Sequence, residues 1–385
     1  MAKNPVVAVL DIGSSTISVL IAERGTNDIY KIHGQSEVEY SGFLDEDFLR
    51  ESELVDTIGH AINQAQNQAG MKISSMFVGV PGAFVSLFSR EVELNFSGNK
   101  IVVAEDIEEI YKRGAQNINA NEYKIIHRAP IHYGLSHGRL VLNPLGKKTE
   151  FIQGKVSYCF AKTSFVNKIM EILRYYKITK VDFISQSYAQ GLFLTTPEER
   201  DDAVVLVDVG YITTNVMLIS GEGLIFLKSF ALGGGNITAD ISEFFNVPFD
   251  VAEKFKRKIV LSFYMNENDE YALEDKGTTY KLKANNLHET ARYHISEIVK
   301  LVNACLDSCK EEFLRTSRIY VTGGGFLYMR GAKEYFGKEI GVTTMQASMA
   351  NPEYSQPSKT STYAVLEMAL RDAKSKESFL KKIFG

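Results

Sequence analysis

Asp11-Ile12-Gly13-Ser14-Ser15-Thr16 and, 197 residues further on, Asp208-Val209-Gly210-Tyr211-Ile212-Thr213 repeat one pattern: an acid, a glycine and a hydroxyl residue between two β-rich runs. The runs are residues 6–10 and 17–22 in the first case, 203–207 and 215–219 in the second. Apolar, β-branched residues broken by a short small-residue turn predict hairpins with buried strands. Recurrence at domain length predicts that the chain is a duplication, with two halves built on the same strand–turn–strand core.

A turn of glycine and small hydroxyl residues presents backbone N–H groups that a phosphate can approach closely. Gly13, Ser14, Ser15 and Thr16 supply such a turn in the first half, Gly210, Thr213 and Thr214 in the second. Asp11 and Asp208, each closing a first strand, are candidate holders of a hydrated Mg2+, which favours carboxylate, water and phosphate oxygens. Two facing hairpins then form a clamp for a nucleoside triphosphate. Three further elements follow in order. Gly233 and Gly234, with Asn236, open a predicted helix, whose N-terminus suits phosphate or ribose. Glu253 and Lys256 stand three apart on one helix face, where they can reach ribose hydroxyls and flank a base. Gly323, Gly324 and Gly325, followed by Phe326, leave a backbone that lies flat against adenine.

Composition bounds the rest. At 385 residues the chain is long enough for two domains with their own cores, and 45% hydrophobic against 23% charged residues is a globular balance. A formal net charge of -4 offers no global footprint for nucleic acid. The three cysteines, Cys159, Cys305 and Cys309, are too few for a disulfide framework and read as structural thiols in a reducing compartment. The first apolar run stops at Asp11, too short for a signal peptide, and no run approaches the eighteen or so residues of a membrane span. Helical periodicity marks residues 51–69, 104–116, 164–176, 250–259 and 288–314; residues 84–160 read as a small α+β unit, and 266–276 as an exposed loop.

With these elements in this order, the chain resembles the actin, Hsp70 and sugar-kinase superfamily. It is most similar there to the bacterial cell-division protein FtsA family, through Val102-Val103-Ala104-Glu105-Asp106-Ile107, Leu142-Asn143-Pro144-Leu145-Gly146, Leu232-Gly233-Gly234, Ala252-Glu253-Lys254 and Val321-Thr322-Gly323-Gly324-Gly325. The resemblance implies an α/β, actin-like two-domain fold: duplicated ribonuclease-H-like halves around a nucleotide cleft, with an inserted subdomain in the first. The expected boundaries are 1–83 and 161–200 for the first half around an insertion at 84–160. The second half takes 201–240, an outer lobe at 241–314, and 315–370, leaving 371–385 as linker and terminal helix. It also implies ATP (or ADP) as cofactor and self-assembly into filaments. As partner the resemblance implies a tubulin-like protein, FtsZ, tethered at the division site to the cytoplasmic face of the cell membrane.

The carboxy terminus supports the tether independently. On a helix, Phe379, Leu380, Ile383 and Phe384 fall within an arc of roughly 140°, with Lys381 and Lys382 outside it, a pattern that suits an anionic lipid surface. Departures cluster around the γ-phosphate. Thr16 stands where FtsA relatives carry lysine, Tyr211 and Ile212 where they carry glycines, and Gln186 where they place an acid that orders the attacking water. Asp208 remains as a candidate base. These changes predict weak ATP turnover or none. The alternatives on the same fold are a pilus-assembly scaffold and, less favoured, a small-molecule kinase or ATPase.

Overall fold

The computed structural model describes residues 4–44, 46–119, 121–309 and 318–384, with side chains through Ser375 except that of Asp28. Its centre is two five-stranded sheets of identical topology. In the first, Lys180–Ser185, Ser75–Val80, Val7–Ile12, Thr16–Arg24 and Tyr30–Glu39 lie side by side in that order. In the second, Thr344–Gln346, Arg318–Thr322, Val204–Val209, Thr214–Ser220 and Gly223–Phe230 take the same places. Each sheet joins an antiparallel three-stranded meander to two strands that enter in parallel. The duplication read from the two Asp-x-Gly motifs is therefore a duplication of whole sheets.

The middle strands are apolar without interruption because both faces of each sheet are covered. Ala8, Leu10 and Ile12 face the core of the first half, packed with the helices Glu51–Ala69 and Thr163–Tyr175. Val205, Val207 and Val209 face the core of the second half, under Gly234–Phe245, Phe249–Lys258 and Ala284–Asp307. The alternate residues, Val7 and Val9 from one sheet and Val204 and Leu206 from the other, share a third core with Tyr188, Ala189 and the stretch from Tyr363 to Leu370. The helix Gln186–Phe193 and the first part of Thr360–Phe384, through Leu370, are thus the filling between the halves.

Residues between the first sheet's second and third parallel strands form a four-stranded sheet, ordered Val85–Ile101, Lys148–Lys162, Tyr123–Leu135, Arg139–Val141, with the helix Ala104–Gly114 on one face. Its own core gathers Ile110, Tyr133, Ile152 and Tyr158. Half-buried His127 ties this unit to the first half: its Nε2 accepts the Ser185 N–H at 3.1 Å, and loss of water around the ring pushes its pKa down to about 4. Residues 266–276, expected as a loop, instead contain the strand Glu270–Asp275, paired with Thr278–Lys283. Alternation of Tyr271 and Leu273 with acids gives that strand one apolar face, which packs on the second half's core. Cys159 is buried, and Cys305 and Cys309 are half-buried against that same core.

The terminal helix runs as one backbone element from Thr360 to Phe384. The side chains of Phe379, Leu380, Lys381, Lys382, Ile383 and Phe384 lie outside the described residues. Among the described residues no helix is long and apolar enough to cross a membrane.

Candidate functional site

The two hairpin turns meet tip to tip. The Ile212 N–H donates to Ser14 Oγ at 3.1 Å, so the halves are hydrogen-bonded directly across the cleft. Each turn closes in the same way, Gly13 N–H to the Thr16 carbonyl at 2.8 Å and Gly210 N–H to the Thr213 carbonyl at 2.9 Å. Tyr40 braces the first turn, its hydroxyl donating to the Gly13 carbonyl at 2.7 Å and its N–H to the Ser15 carbonyl at 3.1 Å. Gly42 completes the packing with φ +86°, placed so that any side chain there would run into the Ser14 backbone and Ile212.

Below the tips lie the aspartates. Asp11, only 6% exposed, accepts from Gln186 Nε2 at 2.8 Å, Ser361 Oγ at 3.0 Å and Thr362 Oγ1 at 2.7 Å. Burial raises its carboxyl above 3.8, with the donors from Thr362, Ser361 and Gln186 pulling the other way. Asp208 accepts from Gln190 Nε2 at 3.0 Å. Burial pushes its pKa up to about 6, the Gln190 hydrogen bond opposes this, and the charge of Asp11 adds to it. Gln186 and Gln190 are four apart on one helix and so project from the same face. One helix therefore serves both aspartates. Gln190 was not singled out in the sequence; the signal was a second glutamine at helical spacing from the first.

The elements assigned to ribose and phosphate in the second half are brought together, and they are engaged with one another. At the start of the helix Gly234–Phe245, Gly234 N–H donates to the Gly210 carbonyl at 3.0 Å and Gly235 N–H to the Tyr211 carbonyl at 2.7 Å. Gly233 N–H is taken by Asn236 Oδ1 at 3.0 Å. Lys256, 2% exposed, pairs with Glu253 at 2.7 Å and donates to the Gly234 carbonyl at 3.0 Å. Glu253 also accepts from Thr238 at 2.6 Å and Arg257 at 2.8 Å; burial opposes its charge, but Lys256, Thr238 and Arg257 outweigh it and hold the carboxyl below its ordinary range.

Three candidates lie off the cleft wall. Thr214 is fully buried and its hydroxyl donates to the Leu232 carbonyl at 2.6 Å. Phe326, expected against adenine, sits in the second half's core with its ring centroid 5.7 Å from that of Phe336. Gln186 Nε2 donates to Asp11 and, at 2.9 Å, to the Ile12 carbonyl. Gly323, at φ +93°, lies against the Val209 carbonyl and Asp208 with no room for a side chain.

A nucleotide fits these residues unequally. The first turn presents the small residues Gly13, Ser14 and Ser15 at the cleft, which suits phosphate. In the second half the helix-opening amides already donate within the chain, so that side does not fit phosphate or ribose as arranged. Asp11 and Asp208 likewise face the chain's own donors, and among the described residues no cluster of three or more His, Cys, Asp or Glu is placed to hold a metal ion.

Comparison with known proteins agrees with this architecture. The model of the type IV pilus assembly protein PilM family matches residues 9–268, and that of the cell division protein FtsA family residues 205–366. Among curated relatives, the cell division protein FtsA of Buchnera aphidicola is 24% identical over 86% of this chain and 79% of its own length. That of Bacillus subtilis is 23% identical over 97% and 86%. Solved structures of the same fold include a PilM–PilN type IV pilus biogenesis complex (TM-score 0.64, 16% identity, 96% of this chain and 99% of the other). MreB 5 of Spiroplasma citri bound to AMPPNP is another (TM-score 0.58, 14% identity, 98% and 99%). The PilM family model spans most of the chain, which therefore belongs to that family, and the FtsA family match and relatives fit a divergent FtsA.

Proposed function

We propose that this chain is a division adaptor that assembles into actin-like filaments on an anionic membrane surface and holds a tubulin-like FtsZ polymer there. The observation that carries the reading is the terminal helix. Its root is fixed: Ser361 and Thr362 hold Asp11, and the residues from Tyr363 to Leu370 are buried between the halves. Its backbone then continues to Phe384, where the sequence places an apolar arc beside Lys381 and Lys382. A short amphipathic end binds weakly alone, and a filament multiplies it. The outer lobe at 241–314 is the proposed partner surface, since Phe244, Phe263, Tyr264 and Tyr293 are all exposed there, Tyr264 by 92%.

ATP or ADP, with Mg2+, is proposed as an assembly cofactor between the two turns, with Ser14, Ser15 and Gly323 to Gly325 nearest to it. The MreB 5 likeness supports this, because that protein was solved with AMPPNP on the same fold. The engaged states of Gln186 and Asp208 support slow turnover or none.

Vesicle pelleting tests the reading. Intact chain sedimenting with anionic liposomes, and a truncation ending before Ser375 staying in the supernatant, is the expected result. Equal behaviour of the two chains refutes the tether. A pilus-assembly scaffold is the second reading, favoured by the PilM family match over residues 9–268. It predicts that neither chain sediments and that a short peptide from an inner-membrane partner binds instead.

A further inference from the structure

The tip of the second hairpin carries the one bulky aromatic in either turn, and its ring has a definite seat. Tyr211 replaces the small residue that Ser14 provides in the first hairpin. A Cβ on Gly235 would lie 2.9 Å from Tyr211 Cε1 and 3.1 Å from Cδ1, so one side of the ring packs directly on this glycine near the start of the helix. Lys256 Nζ stands 5.0 Å from the ring centroid, within cation–π range. Beside it, Thr238 donates to Glu253 at 2.6 Å, the carboxylate that pairs with Lys256. The Tyr211 backbone carbonyl takes the Gly235 N–H.

Lys256, Glu253 and the helix-opening residues Gly233 and Gly234 are the groups that the nucleotide reading gives to ribose and phosphate. Each is in contact with Tyr211 or with a partner that Tyr211 holds in place. We propose that Tyr211 is a tethered occupant of the second half's side of the cleft, and that nucleotide enters only by displacing it. The proposal rests on the nucleotide reading above and fixes what sets affinity at that site. With the ring seated, the second half's groups are engaged with one another, and Tyr211 thus sets how tightly nucleotide binds there.

A ligand that binds only the ring-out form has its apparent affinity reduced by the fraction of molecules in that form. Replacing the ring should return that factor, roughly ten- to hundredfold, as tighter binding. The full chain and its Tyr211→Ala variant are titrated with a fluorescent ATP analogue and with the matching ADP analogue. The chain has no tryptophan, so Tyr211→Trp adds a single reporter whose indole can take the same seat over Lys256. The expected result is Tyr211→Ala binding at least tenfold tighter than the unaltered chain, with Tyr211→Trp emission shifting to the red as unlabelled ATP saturates. Equal or weaker binding by Tyr211→Ala overturns the competition while leaving the nucleotide site standing. Binding to none of the chains overturns the nucleotide reading itself, and the proposal with it. If Tyr211→Ala does not give a cooperative melt, the tryptophan variant decides: saturation without a change in emission means that ring and nucleotide coexist, and the proposal fails.

Discussion

Replacing Asp208 with asparagine should make the folded chain more stable at neutral pH. Asp208 holds its proton to about 6, against 3.8 for an ordinary aspartate, because it is buried and shares its surroundings with Asp11. The sign follows directly. Below pH 4 the carboxyl is protonated in both folded and unfolded chains. As pH rises from 4 to 6 the unfolded chain ionises first, so stability falls across that window and stays lowered above it. A gap of that size corresponds to about 3 kcal/mol as an upper limit. Asparagine carries no charge to bury, and its carbonyl can keep the hydrogen bond from Gln190. Urea unfolding of the two chains at pH 4.5 and 7.5 measures the effect, and taking the difference between chains cancels the titrating groups that are not coupled to Asp208. The expected pattern is Asp208→Asn gaining about 1–3 kcal/mol over the unaltered chain at pH 7.5 and much less at pH 4.5. A variant less stable at pH 7.5, or a gain that does not depend on pH, refutes the view that Asp208 is a strained buried carboxyl.

His127 should act in the opposite sense. Its pKa lies near 4 in the folded chain against 6.5 when unfolded, so its contribution is complete above 6.5 and is lost as pH falls towards 4; His127→Gln should flatten that acid limb in the same unfolding series. Gly42→Ala should lower stability by about 2 kcal/mol or more, since it combines a left-handed backbone with a clash at Ser14 and Ile212, and limited proteolysis should show earlier cutting near the turns. A Gly42→Ala chain as stable and as resistant as the unaltered one would mean that the turns do not meet as described.

Much of the fold was legible because duplication writes the same grammar twice. Residues 51–69 form the expected helix, and both hairpins occupy the expected runs, since their strands are buried on both faces and so read as unbroken apolar segments. Less legible were elements whose partners are remote. The strand Glu270–Asp275 is half acidic and looks like a loop until Tyr271 and Leu273 are seen sharing a face. Gln190 carries no charge and no motif, and only the helix that also bears Gln186 gives it meaning. Phe326 followed a glycine triplet and was assigned to the cleft, but the turn of the chain after Gly325 drives it into the core. Lys256 lies in a run of cations that by itself reads as a solvated face, yet it is the buried member because Phe255 and Ala252 on the same helix face inward. Tyr211 was visible as a departure from small-residue turns; that its ring has a lysine beneath it was not.

The helix Gln186–Phe193 gives the molecule an axle. It lies between the sheets and reaches one aspartate with Gln186 and the other with Gln190, so two prongs one turn apart, about 6 Å along the axis, grip opposite halves. A motion that parts Ser14 from Ile212 is large at the turn tips and small at this helix, where both prongs can stay engaged. Sliding one half past the other would break a prong at once. The architecture therefore favours opening by rotation, like a book on its spine, and resists shear.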